Sequence, residues 1–202
     1  IHAILVREDL SGFQHLHPEA TRDGWTLSTR IPEGGSYHLY LDYTPVGASQ
    51  VVLHIPFMVP GRGMTKVFPT VRSLPKVSVD GITAQLMTMP QTLSAGTTTQ
   101  FTFQLTERDQ PVQEIGPYLG AFGHVVILQQ GKPSQYIHVH PLTDRQPQDG
   151  KVLFETHFSE AGKYMAYAEF NVAGALRVFP FPLEVSSSTN ATPSMPAEHH
   201  HH

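Results

Sequence analysis

The chain has 202 residues, room for one large domain or two of about 100 residues each. A hydrophobic share of 40 % excludes a disordered chain, and 13 Lys+Arg against 17 Asp+Glu, with no basic stripe, argue against nucleic acid as a partner. The absence of cysteine excludes disulfides, thiolate zinc sites, type-1 copper and cysteine nucleophiles, and no run approaches the ~18 apolar residues of an embedded membrane segment.

Taken in chain order, short strands dominate. HAILV opens the chain, FQHLHP follows a loop, and WTLSTR leads through the turn signal PEGG into YHLYLDY and VVLHIPFMV. YHLYLDY alternates with period two and is expected to pack the face carrying Tyr37, Leu39, Leu41 and Tyr43. Residues 61–75 read as a linker. Two strand candidates, KVSVDGITAQLMTM and TTTQFTFQLTE, come next, separated by PQTLSAG. HVVIL, QYIHVHP, VLFETHF, YMAYAEF and VFPFPLEV complete the pattern, with Tyr164, Ala166, Ala168 and Phe170 as the packed face of YMAYAEF. Residues 187–202 form a Ser/Thr/Pro-rich tail ending in His199–His202, which reads as a purification tag and is set aside.

The chain repeats itself. HAILVREDLSGFQHLHP lies over HVVILQQGKPSQYIHVHP, and WTLSTRIPEGGSYHLYLDY over VLFETHFSEAGKYMAYAEF. Thr29/Thr156, Glu33/Glu160, Gly35/Gly162, Tyr37/Tyr164 and Tyr40/Tyr167 are identical pairs, and Asp42/Glu169 keep their charge. The expected fold is all-β, with tandem Ig-like antiparallel β-sandwich units: residues 1–60 as the C-terminal part of a first unit and 76–186 as a complete second one. The first copy lacks the leading strands of the second, so an upstream fragment, another chain or an unusual partner surface is expected to complete it.

Each copy carries His…His-x-His-Pro. Residues i and i+2 of a strand share a face ~7 Å apart, so His15 projects with His17 and His138 with His140. Pro18 and Pro141 hold the preceding histidine extended. His2 and His124 lie 13 and 14 residues upstream, the length of a strand, a hairpin loop and a return strand. Three imidazoles can then converge at metal-bonding distance, ~2.0 Å. A histidine on a strand is commonly structural, and His-x-His alone recurs by chance. The same three positions held in two divergent copies favour metal: His2, His15 and His17 for one ion, His124, His138 and His140 for a second. Copper is the expected ion, since Cu(II) heads the affinity series, with zinc the alternative. Met87 and Met89 offer thioethers suited to Cu(I), or are core residues. Asp42 and Glu169 are candidate carboxylates for orienting a ring, or solvated surface groups. His38, His54 and His157 lack counterparts and read as surface residues.

YLGAFGH (Tyr118–His124) with YIHVHP (Tyr136–Pro141), IHAIL with FQHLHP, and GKYMAYAEF followed by FPFPLEV resemble a family of bacterial exported tandem Ig-like proteins with a His-x-His-Pro motif. That resemblance covers nearly the whole chain outside linker and tail, and departs in the truncated first unit. It implies a periplasmic or extracellular address, an Ig-like fold and an association with copper handling. The leading expectation is a non-catalytic copper-binding or copper-buffering protein. The alternatives are a zinc-dependent hydrolytic enzyme using three His and an open position, and an adhesion or assembly module with structural histidines.

Overall fold

The structure, a computed structural model, describes residues 1–71 and 75–188. Linker residues 72–74 and the tail from residue 189, including His199–His202, lie outside the described residues. Every regular element described is a strand. In the first repeat these are β1 (His2–Arg7), β2 (Gln14–Leu16), β3 (Glu19–Thr21), β4 (Gly24–Thr26), β5 (Gly35–Tyr43) and β6 (Val51–Val59). Next come β7 (Lys76–Val79), β8 (Ile82–Met89), β9 (Thr98–Glu107), β10 (Gln110–Pro111) and β11 (Ile115–Gly116). The second repeat holds β12 (His124–Gln129), β13 (Lys132–Val139), β14 (Lys151–His157), β15 (Gly162–Val172) and β16 (Ala175–Val185). Among the described residues no helix is long and apolar enough to cross a membrane.

The strands form three stacked layers, all antiparallel. An outer sheet runs β10-β9-β8-β7 with β14 against β9, and the central sheet runs β11-β15-β12-β13 with β16 against β15. These two make a sandwich around Phe101, Phe103, Phe154, Phe170, Phe179 and Phe181. The first repeat contributes the third layer, β2-β1-β5-β6, and a small β3-β4 hairpin.

That third layer docks on the free face of the central sheet. Ile4, Val6, Leu10 and Tyr40 meet Val126, Leu128, Met165 and Tyr167 in a second core. Strands β12 and β15 are consequently buried on both faces, which explains the unbroken apolar run VVIL where alternation would be expected of a half-exposed strand.

The packed face expected for β5 is therefore corrected. Tyr40 and Asp42, on its opposite face, are buried against the second repeat, whereas Leu39, Leu41 and Tyr43 are only half-buried. The outward face of the third layer keeps Leu53 and Ile55 exposed, 45 % and 42 %. Its other part is crossed by residues 29–33, through Gln14 to the Arg30 carbonyl at 3.1 Å and Arg7 to Glu33 at 2.7 Å.

The docking has approximate two-fold symmetry. Tyr40 stacks on Tyr136 at 4.9 Å and donates its hydroxyl to the Pro133 carbonyl; its repeat mate Tyr167 stacks on Phe13 at 3.9 Å and donates to the Leu10 carbonyl. Each repeat thus grips the first hairpin of the other. Within each repeat, Tyr37 and Tyr164 donate to the carbonyls of Glu33 and Glu160, both at 2.9 Å, forming a tyrosine corner ahead of the long strand. The linker returns over the first repeat: Arg7 donates to the Met64 carbonyl, the Lys66 amide donates to Asp9, and Phe68 joins the interlayer core.

Candidate metal centre

The ladders deliver the histidines as a consequence of repeat register. His2 opposes Asp42 across β1 and β5, as His124 opposes Glu169 across β12 and β15. β2 and β13 return beside β1 and β12 with Leu16 opposite Ala3 and Val139 opposite Val125, so each His-x-His pair falls on the face that holds the upstream histidine.

Because those faces are the docking faces, the two triads meet. The ring centroid of His2 lies 4.7 Å from His17, 5.1 Å from His15, 4.8 Å from His138, 5.6 Å from His124 and 6.1 Å from His140. Two groups bring their ligand nitrogens within 4.8 Å of one another: His2, His15 and His17, the first expected triad, and His2, His124 and His138, which crosses between repeats. His140 sits at the exposed rim, its ring 4.8 Å from both His124 and His138. The expectation of two separate three-His sites thus becomes a single six-His constellation at the interface of the repeats.

Asp42 and Glu169 are buried, and each serves the opposite repeat. His138 Nδ1–H donates to Asp42 Oδ2 at 2.9 Å, and His15 Nδ1–H donates to Glu169 Oε2 at 2.5 Å. Gln50 and Tyr136 also donate to Asp42. Burial opposes the charge of Asp42, but the bonds from His138 and Gln50 outweigh it and hold the carboxyl below its usual range. The backbone carbonyl of Tyr118 accepts from His124 Nε2 at 3.0 Å. Gly123, just before His124, lets the chain pass close to the Phe170 ring, which a Cβ there would approach to 2.7 Å.

These acceptors fix the tautomers. A carboxylate or a carbonyl only accepts, so neutral His138 carries its proton on Nδ1 and neutral His124 on Nε2. The remaining nitrogens, His124 Nδ1 and His138 Nε2, face each other at 3.2 Å, each with a lone pair when both rings are neutral. In the first repeat the matching nitrogens, His2 Nδ1 and His15 Nε2, stand 2.9 Å apart. His17 Nε2 is buried without any partner.

Extra protons are poorly tolerated here. Burial, reinforced by the neighbouring imidazoles, pushes His2 and His124 down to about 3 and His17 to about 4, and lowers His140 in the same way. His2, His17, His124 and His140 are thus biased towards the neutral form in which imidazole binds a metal.

The remaining sequence candidates lie elsewhere. Met87 and Met89 sit on the outward face of β8, on the far side of the central sheet from the histidines, and Met89 is 72 % exposed. The thioether role is therefore withdrawn. His54 and His157 are exposed; half-buried His38 stands 2.9 Å from His54, nitrogen to nitrogen.

A family model described as a domain of unknown function, DUF8832, matches residues 1–60 and 77–187, most of the chain. The chain belongs to the DUF8832 family. All six histidines and both carboxylates of this DUF8832 chain lie inside the matched segments. No curated protein and no solved structure matches it.

Proposed function

We propose that this DUF8832 protein binds transition-metal ions through His2, His15, His17, His124, His138 and His140, with copper as the preferred ion and zinc as the alternative. The observation that carries this reading is the approach of His124 Nδ1 and His138 Nε2 to 3.2 Å, each with a lone pair when the rings are neutral. Two unprotonated nitrogens repel, and a cation between them removes that repulsion. The orphaned His17 Nε2 supports the same conclusion. All-imidazole donors suit copper and zinc, and Cu(II) heads the affinity order. The donor set is imidazole alone, without thiolate or carboxylate ligands.

The role is binding or buffering rather than catalysis. Both nearby carboxylates accept from histidine rings, His15 to Glu169 and His138 to Asp42, which favours a holding role for them over acid–base work. The tyrosine corners support an Ig-like description of the units, and the resemblance to exported tandem Ig-like proteins supports a periplasmic or extracellular setting. An assembly role is a second reading, favoured by exposed Leu53 and Ile55 on the outward face of the third layer. On that reading a second copy, or a further segment of chain, covers this face. Light scattering over a range of concentrations would show mass rising with concentration.

The test of metal binding starts with removal of His199–His202, which would mimic the result. After dialysis against EDTA, Cu(II) and Zn(II) are titrated calorimetrically into wild type and a His138→Ala/His140→Ala variant. Tight binding that is reduced in the variant is expected. Absence of tight binding of Cu(II), Zn(II) and Cu(I) overturns the proposal.

A further inference from the structure

We infer that the six histidines form one two-ion centre shared by both repeats, in which each triad is held ready by a carboxylate from the opposite repeat. This rests on the metal-binding reading above and goes beyond it in number, spacing and dependence of the ions.

Donor supply sets the number. A neutral imidazole offers one lone pair to one ion, and open zinc or copper sites take three protein ligands, so six rings supply two such ions. Symmetry sets the division. The chain of atoms from His2 Nδ1 through His15 to Glu169 is repeated from His124 Nδ1 through His138 to Asp42, nitrogen for nitrogen. Two ion positions follow: His17 completes the first, and in the second His2 joins His124 and His138, with the His140 ring 4.8 Å from both at the rim.

Distance makes them one centre. An ion bound at ~2.0 Å lies about 3 Å from the centroid of its ring. With His2 only 4.8 Å from His138 and 5.6 Å from His124 across the repeat boundary, ions held by the two triads are neighbours within one cluster of rings. Neighbouring ions in one cluster, as in two-metal sites, interact electronically and can share a small anion.

The carboxylates add the coupling between repeats. His15 on β2 is oriented by Glu169 on β15, and His138 on β13 by Asp42 on β5. Loss of such an orienting partner commonly lowers metal affinity about 10- to 100-fold. Here the loss falls on the ion bound by the repeat that does not contain the mutation.

Two measurements on the tag-free chain test this. Electron paramagnetic resonance is recorded as Cu(II) is added to one and then two equivalents. The second equivalent is expected to broaden the first signal, produce a half-field line and bring the spin count below the copper content. Saturation at one ion, or two isolated signals accounting for all copper, overturns the shared centre while leaving metal binding intact. No tight binding of any ion overturns both. The second measurement uses a His15→Ala/His17→Ala background, which leaves the second triad to bind. There Asp42→Asn should weaken Cu(II) about 10- to 100-fold, and Glu169→Gln should leave it unchanged, with circular dichroism confirming that both variants fold. An effect of Glu169→Gln alone, or of neither substitution, overturns the crossed assignment.

Discussion

Docking of the third layer on the central sheet positions the histidines, and Tyr167 tests that docking directly. Its ring stacks on Phe13 at 3.9 Å and 7°, it is 3 % exposed, and its hydroxyl donates to the carbonyl of Leu10 in the turn after β1. Tyr167→Phe keeps the ring and its stack but removes the donor, leaving a buried carbonyl unsatisfied. That costs about 1–3 kcal/mol. For a chain of this size each kcal/mol lowers the melting temperature by about 2–4 °C, so a central loss of about 2 kcal/mol predicts a fall of about 4–8 °C. Tyr167→Ala also forfeits the stack and opens a cavity, for about 3–5 kcal/mol. Thermal unfolding of the metal-free protein, followed by circular dichroism, measures both. The repeat mate offers an internal control: Tyr40→Phe frees the Pro133 carbonyl and should act in the same direction. A Tyr167→Phe melting temperature within about 1 °C of wild type would refute the claim that this bond fastens the first hairpin to the second repeat.

Acidification should destabilise the metal-free protein. His2, His17 and His124 fall to about 3, 4 and 3 in the folded state, against about 6.5 unfolded. The unfolded chain then binds more protons throughout that window, so stability holds above pH 6.5 and declines as pH falls towards 4. Melting temperatures recorded from pH 7.5 to 4.5 check the sign, and a flat or rising profile contradicts it. Bound metal should stabilise the fold by about 2.7 kcal/mol at a free concentration one hundred times the dissociation constant, a rise that EDTA reverses in differential scanning calorimetry. Gly123→Ala should destabilise by about 1–3 kcal/mol through overpacking, since its Cβ would stand 2.7 Å from Phe170. Urea unfolding measures that loss, and wild-type stability would mean the Tyr118–His124 loop shifts without cost.

Much of the architecture is legible in the residues because strand chemistry is local. Alternation, turn signals and the duplicated His-x-His-Pro segments give the strands, the repeat and all six histidines, and each upstream histidine falls beside its pair as the hairpin length requires. The long-range arrangement is not local. Period two in YHLYLDY identifies two faces of β5 but does not say which meets a partner, and the deeper face proves to be the one with Tyr40 and Asp42. Asp42 and Glu169 were recognisable as a conserved charge between repeats, yet their crossed service to His138 and His15 depends on docking over 96 and 154 residues of chain.

One signal of that docking was nevertheless present. A sheet strand exposed on one face needs apolar residues only at every second position, whereas AILV and VVIL are apolar at all four. The residues at alternate positions, Ile4 and Val6 against Val126 and Leu128, are those that meet in the interlayer core. Unbroken apolar character in the two strands that begin with His2 and His124 therefore implies that both faces are covered. Since the first residue of each strand is a histidine on the covered face, the same fact brings the two triads together.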